Sequence, residues 1–231
     1  MRFMKVDINP YQHWSVLLPK NSSSGNLSFE TPMQIITYPH THIVQNFNPE
    51  PVLATLGSGG LILYPTDTIW AIGCDATQEA AVNRVITLKQ WDYTQPFVIL
   101  VSSMAMLKQY VHHIHPRIET LLAYHSQPLT IVYDKATGLP PNALGKDGSV
   151  SIRVVHDDFC RSLIEYFGKP LVATSAHIGQ QNFPNHFGEI SSTVIQGVDL
   201  VVRHRQLDKE MGPPSVIARL GDDGELAFIR E

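Results

Sequence analysis

The sequence predicts an α/β domain: a large twisted mixed sheet with helices against it. Three observations carry that expectation. From Gly57 onward, short β-rich runs cover 61–64, 97–101, 130–133, 151–155, 171–174, 199–202, 215–220 and 226–230. Stretches of helical periodicity alternate with the earlier runs, as in an α/β fold. The last two runs are separated only by Gly221-Asp222-Asp223-Gly224, a turn-forming loop that implies an antiparallel hairpin rather than a crossover. A sheet assembled in both ways is mixed.

Taken in chain order, positions 1–50 read as an N-terminal extension, with Asn21-Ser22-Ser23-Ser24-Gly25 as a flexible stretch and prolines at 10, 19, 32, 39, 49 and 51. The remaining domain covers 51–231. Gly57-Ser58-Gly59-Gly60 reads as a turn before the first strand, because the Lys-Ser/Thr of a phosphate-binding loop does not follow it. After run 61–64 the chain passes through Pro65-Thr66-Asp67-Thr68 into an apolar turn containing Gly73. A helix is expected over 75–90, where Val82, Val85, Ile86 and Lys89 fall at helical spacing and Asp75 with Gln78 can form a capping pair. A second helix is expected over 158–167, with Phe159, Leu163, Tyr166 and Phe167 on one face, Gly168 as its stop and Pro170 beyond. No internal repeat is apparent.

Composition narrows the function. The chain has 231 residues, 43% of them hydrophobic and 16% charged, which excludes a disordered or fibrous protein. No apolar run approaches the roughly 20 residues of a membrane span, and Met1-Arg2-Phe3-Met4-Lys5 does not lead into a signal-type apolar stretch, so the expected address is cytoplasmic. Two cysteines, Cys74 and Cys160, are too few for a disulfide framework or a four-thiolate zinc site. A formal charge of −4 argues against a general nucleic-acid coat, which needs a basic surface. A local basic cleft stays compatible with it, and Lys89, Arg153, Arg203, Arg205 and Arg219 fall near strand ends.

Three segments place reactive side chains where α/β folds bind ligands, just beyond strands. They are Thr66-Asp67-Thr68, Lys89-Gln90-Trp91 and Thr174-Ser175-Ala176-His177. Singly, each is equally a local structural motif: a hydroxyl turn, a lysine on a helix dipole, a hydrogen-bonded histidine. His40-Thr41-His42 and His112-His113-Ile114-His115 lack a carboxylate at zinc-ligand spacing, which leaves a metal hydrolase the weakest reading. No protein-held metal is expected.

In order, the segments form a pattern. Pro65-Thr66-Asp67-Thr68, Gly73-Cys74-Asp75-Ala76, Leu88-Lys89, Pro96, Pro128-Leu129-Thr130, Ser151-Ile152-Arg153-Val154 and Thr174-Ser175-Ala176 closely resemble the YrdC-like family of threonylcarbamoyl-AMP synthases, which includes YciO-like members. The resemblance covers roughly residues 51–231. It implies an open, twisted mixed sheet around a positively charged cavity. It also implies an enzyme that joins L-threonine, bicarbonate and ATP into threonylcarbamoyl-adenylate with release of pyrophosphate, for modification of adenosine-37 in tRNA. Mg²⁺ is implied with the ATP, since a triphosphate needs cationic and N–H donors and usually the metal.

By position, the resemblance assigns Thr66, Thr68, Arg153 and Ser215 to threonine. It assigns Lys89, Trp91, Thr130, Ser151, Ser175 and His177 to the nucleotide, with Lys89, Ser175 and His177 nearest the chemistry. Gln127 and Gly179 drift from the family pattern, and two further departures are serious. Lys-x-Arg is Lys89-Gln90-Trp91 here, which replaces a five-donor cation by a one-donor indole, and Ser-x-Asn is Ser175-Ala176-His177. A protonated His177 would restore part of the missing charge, and Trp91 would stack on adenine or a nucleic-acid base. Sequence supports two readings at this point. One is a synthase of reduced or altered activity. The other is a non-catalytic paralogue that binds a nucleotide, or double-stranded RNA through Lys89, Arg153 and Arg219. Oligomeric state is not legible in it.

Overall fold

A computed structural model describes residues 47–90, 97–179, 182–209, 211–221 and 223–230. The extension expected over 1–50 lies outside the described residues up to position 46, and so does Trp91. No described helix is long and apolar enough to cross a membrane.

Among the described residues nine strands form one sheet: β1 (Ile62–Pro65), β2 (Trp70–Gly73), β3 (Val98–Val101), β4 (Leu129–Tyr133), β5 (Val150–Val154), β6 (Leu171–Ser175), β7 (Leu200–Val201), β8 (Val216–Leu220) and β9 (Leu226–Arg230). Their spatial order is β7-β1-β2-β6-β3-β5-β4-β8-β9. The sheet is mixed, as expected. Pairs β7–β1, β3–β5 and β4–β8 run parallel, and the other five neighbours run antiparallel. Each β-rich run of the sequence finds its place, and the closing hairpin β8–β9 forms.

Strand β2 is the departure. The segment expected to be an apolar turn pairs with β1 and β6 instead. Glycine suits this strand because a Cβ at Gly73 would lie 2.4 Å from the Val172 carbonyl oxygen and 2.5 Å from the Tyr64 ring. The Tyr64 ring crosses there to donate its hydroxyl to Val172 O at 3.0 Å.

Six α-helices of the described residues cover the sheet: α1 (Glu50–Gly57), α2 (Glu79–Lys89), α3 (Met104–Tyr110), α4 (Pro116–Tyr124), α5 (Asp158–Phe167) and α6 (Ser192–Gly197). Helix α5 takes its expected bounds. Asp157 caps it by accepting the Cys160 N–H at 2.8 Å, and Gly168 stops it in the left-handed region at φ 74°. Helix α2 starts later than expected. The Asp75 carboxylate turns back on Thr77, accepting from its N–H at 2.8 Å and its hydroxyl at 2.6 Å, and pairs with Lys169, so Asp75 and Gln78 stand before the helix rather than inside it.

Side chains of β1 alternate between two cores. Leu61 and Leu63 pack with α2, α3, α4 and α6 on one face, while Ile62 and Tyr64 pack with α1 and α5 on the other. Burial of Phe159, Leu163 and Ile164 under α5 contributes about 1.5–3 kcal/mol per side chain. This second face changes character along the sheet. Its half at β1, β2, β6 and β3 is apolar, with Ala71, Ala173, Leu171 and Leu100 in the core. Past β3 the same face carries Ser151 and Arg153 on β5 and Thr130 on β4.

Candidate functional site

The loop between β1 and β2 is built around one hydroxyl. Thr66 Oγ1 accepts the N–H groups of Thr68 at 3.1 Å and Ile69 at 3.2 Å and donates to Ile69 O at 2.7 Å. Thr68 Oγ1 lies 3.0 Å from it. A turn closed in this way fixes the Asp67 and Thr68 side chains before any ligand arrives. A guanidinium holds the loop from behind. Arg205, at φ 54°, donates to Thr66 O at 3.0 Å and to Asp208 at 2.8 Å, and lies 3.7 Å from Asp157, the cap of α5.

Strand register supplies the facing wall. Leu171, Leu100, Arg153, Thr130, Ile217 and Arg230 are successive cross-strand partners on β6, β3, β5, β4, β8 and β9, so they form one row on one face. Arg153 donates to Thr68 Oγ1 at 3.2 Å and places Nη2 2.9 Å from Asp67 Oδ1. Thr130 and Ser215 hydroxyls lie 2.8 Å apart, and Arg230 donates to Ser215 O at 2.8 and 3.0 Å. Burial, with the Arg153 charge added to it, holds the Arg230 pKa below its ordinary value. Two guanidiniums, Arg153 and Arg230, thus stand in this row, and Asp67 pairs with the first of them.

The structure thus gathers Thr66, Thr68, Arg153 and Ser215, the four residues assigned to threonine. Thr130, assigned to the nucleotide side, stands with them at 0% exposure. Ser151 lies two residues before Arg153 on the same strand face and is also buried.

Lys89, Ser175 and His177 gather at the end of β6. Lys89 comes from the last turn of α2 and donates to Ser175 O at 2.8 Å and His177 O at 2.6 Å, with Ser175 Oγ at 3.5 Å. The corner joins the first group through β2, since Ala176 N–H donates to Trp70 O at 3.0 Å just beyond the threonine loop. Burial lowers the Lys89 pKa to about 8. Burial, and then the Lys89 charge, push His177 down to about 4. At that value the His177 imidazole is neutral at neutral pH, without the positive charge that a protonated ring would add. Lys89 is the cation of this corner.

Of the three basic residues expected in a duplex-RNA patch, Lys89 is 1% exposed and Arg153 3%, while Arg219 is tied to Asp134 at 2.8 Å and Asp147 at 3.4 Å. Among the described residues no three His, Cys, Asp or Glu side chains converge on a metal position.

Sequence reasoning did not assign Asp67, Arg205 or Arg230 to the site. Arg205 had one visible signal, a basic residue just past a strand. Arg230 had none, because its place depends on a register shift in the last hairpin at Ile217/Ala218.

Known proteins resemble this chain in sequence and in fold. Residues 54–231 match the model of the Sua5/YciO/YrdC family, described as "Telomere recombination". A threonylcarbamoyl-AMP synthase of Xanthomonas oryzae pv. oryzae is 28% identical over 194 residues, covering 83% of this chain and 100% of that protein. P. abyssi Sua5, solved in complex with L-threonine, superposes with a TM-score of 0.70 at 22% identity over 79% of this chain and 53% of that one. This chain therefore spans about half the length of that protein. E. coli YciO gives a TM-score of 0.69 at 23% identity, covering 79% of this chain and 88% of that one.

Proposed function

We infer that this chain, which belongs to the Sua5/YciO/YrdC family, joins L-threonine, bicarbonate and ATP into threonylcarbamoyl-AMP at a reduced rate. The observation that carries the reading is the buried Arg153, held by the Thr68 hydroxyl beside Thr66. A fixed guanidinium next to two hydroxyls suits a small hydroxyl-bearing carboxylate. In the proposed reaction the threonine nitrogen bonds to the carbon of bicarbonate with loss of water. A carbamate oxygen then bonds to the α-phosphorus of ATP, and the bond to pyrophosphate breaks. The product serves adenosine-37 modification in tRNA.

Arg153 binds the carboxylate in this reading, with Thr66, Thr68 and Ser215 around the rest of the amino acid. Lys89, Ser175 and His177 take the phosphate end, with Thr130 and Ser151 on the nucleotide side and Trp91 on the base. The described residues offer no carboxylate set for a metal, so Mg²⁺ enters on the phosphates of ATP. The reduced rate follows from Trp91 and from a neutral His177. Losing a charge-assisted contact to a transferring phosphate costs on the order of 100-fold or more.

Pyrophosphate release tests the reading. Release is expected only with threonine and bicarbonate together. None above background, beside an active family member, would contradict synthesis and leave a non-catalytic nucleotide binder, which ATP binding without turnover would identify.

A further inference from the structure

We propose that Asp67 holds the ammonium group of the amino acid whose carboxylate Arg153 holds, so that the two side chains form a clamp for a free α-amino acid zwitterion. The proposal rests on the amino-acid reading of the site and adds to it the group that reads the other head charge.

This corner of the fold contains two kinds of polar group. Thr66, Thr68, Thr130 and Ser215 are hydrogen-bonded to one another or to the backbone, and Arg230 and Arg205 are bound to Ser215 O, Thr66 O and Asp208. Asp67 and Arg153 differ from them. Both Asp67 carboxylate oxygens and Arg153 Nε are buried yet make no hydrogen bond among the described residues. The 2.9 Å approach of Arg153 Nη2 to Asp67 Oδ1 is an ion pair outside hydrogen-bond geometry. The two side chains are 4% and 11% exposed, so water does little to compensate them. Buried carboxylate oxygens without donors are costly, and native proteins keep them where a ligand satisfies them.

A zwitterion supplies what each group lacks. Its carboxylate meets Arg153 and its ammonium donates to Asp67, so the existing pair opens into two pairs and no buried charge is left alone. A ligand with a carboxylate only would draw Arg153 away and strand Asp67. One with an ammonium only would strand Arg153. Removing one partner of a buried pair is strongly unfavourable, which turns the pair into a selectivity device. Thr68 keeps Arg153 in place in either state through its hydroxyl.

Calorimetry on the full chain tests this with three probes: L-threonine, 3-hydroxybutanoate without the amine, and L-threoninol without the carboxylate. L-threonine is expected to bind at least about 30-fold tighter than either analogue. Equal binding of 3-hydroxybutanoate would overturn the clamp while leaving the amino-acid site standing. No binding of L-threonine would defeat the function reading itself. Asp67→Asn is expected to weaken threonine and threoninol by at least about tenfold but not the amine-free acid, whereas a merely structural Asp67 would weaken all three alike. Should the variant not fold, the wild-type series decides alone.

Discussion

His177 titrates far from its ordinary range, and that makes its place in the fold measurable. With a folded pKa of about 4 against an ordinary 6.5, the unfolded chain holds a proton between those values that the folded chain does not. Stability contributed by neutral His177 is thus complete above pH 6.5 and declines as pH falls toward 4. In thermal denaturation, His177→Asn is expected to gain on the wild type as pH drops from 7 to 5; a constant gap would contradict the burial argument. Lys89 has the same sign in another window. Its folded pKa of about 8 against 10.5 means that stability rises with pH between the two, and Lys89→Met should remove that rise. Arg205 acts through Thr66 rather than on a ligand, since its guanidinium holds the Thr66 carbonyl. Arg205→Ala is expected to raise the threonine KM about tenfold with kcat less affected. The reverse split would show that Arg205 serves the chemistry.

Among the elements, β2 shows where local sequence stops being informative. Its four residues, Trp70–Gly73, are buried on both faces and show no alternation, and a terminal glycine reads as a turn. Only the Tyr64 ring and the Val172 carbonyl, brought from β1 and β6, explain why glycine is needed there. Gly73→Ala is expected to cost about 1–3 kcal/mol or more, a fall in Tm of about 3–10 °C by calorimetry, and an unchanged Tm would show that β1 and β6 can part. Helix α5, by contrast, was legible to the residue, because Asp157, the apolar face of Phe159 and Leu163, and Gly168 all act within the helix itself. Helices α3 and α6, of seven and six residues, are too short to establish a period. The site divides the same way. Thr66, Thr68, Lys89, Arg153 and Ser175 could be found because they sit in ordered motifs beside strands. Arg230 reaches the row only through register across β8 and β9, which no single segment encodes.

At the scale of the whole sheet, one face is apolar under α1 and α5 and polar beyond β3, where Ser151, Arg153 and Thr130 replace the apolar side chains. In the proposed reading, the amino-acid end keeps its cation and hydroxyls. The phosphate end has Lys89 with a neutral imidazole beside it. Reduced turnover is therefore expected to reside at the phosphate end, and the double substitution Trp91→Arg with His177→Asn should raise threonine-dependent pyrophosphate release by about tenfold or more. Unchanged release would place the defect elsewhere. The most direct test of the account is a crystal structure with L-threonine and a non-hydrolysable ATP analogue. The account predicts the threonine carboxylate within hydrogen-bond distance of Arg153 and its hydroxyl beside Thr66 and Thr68. Threonine bound elsewhere, with Arg153 still paired to Asp67, would contradict it.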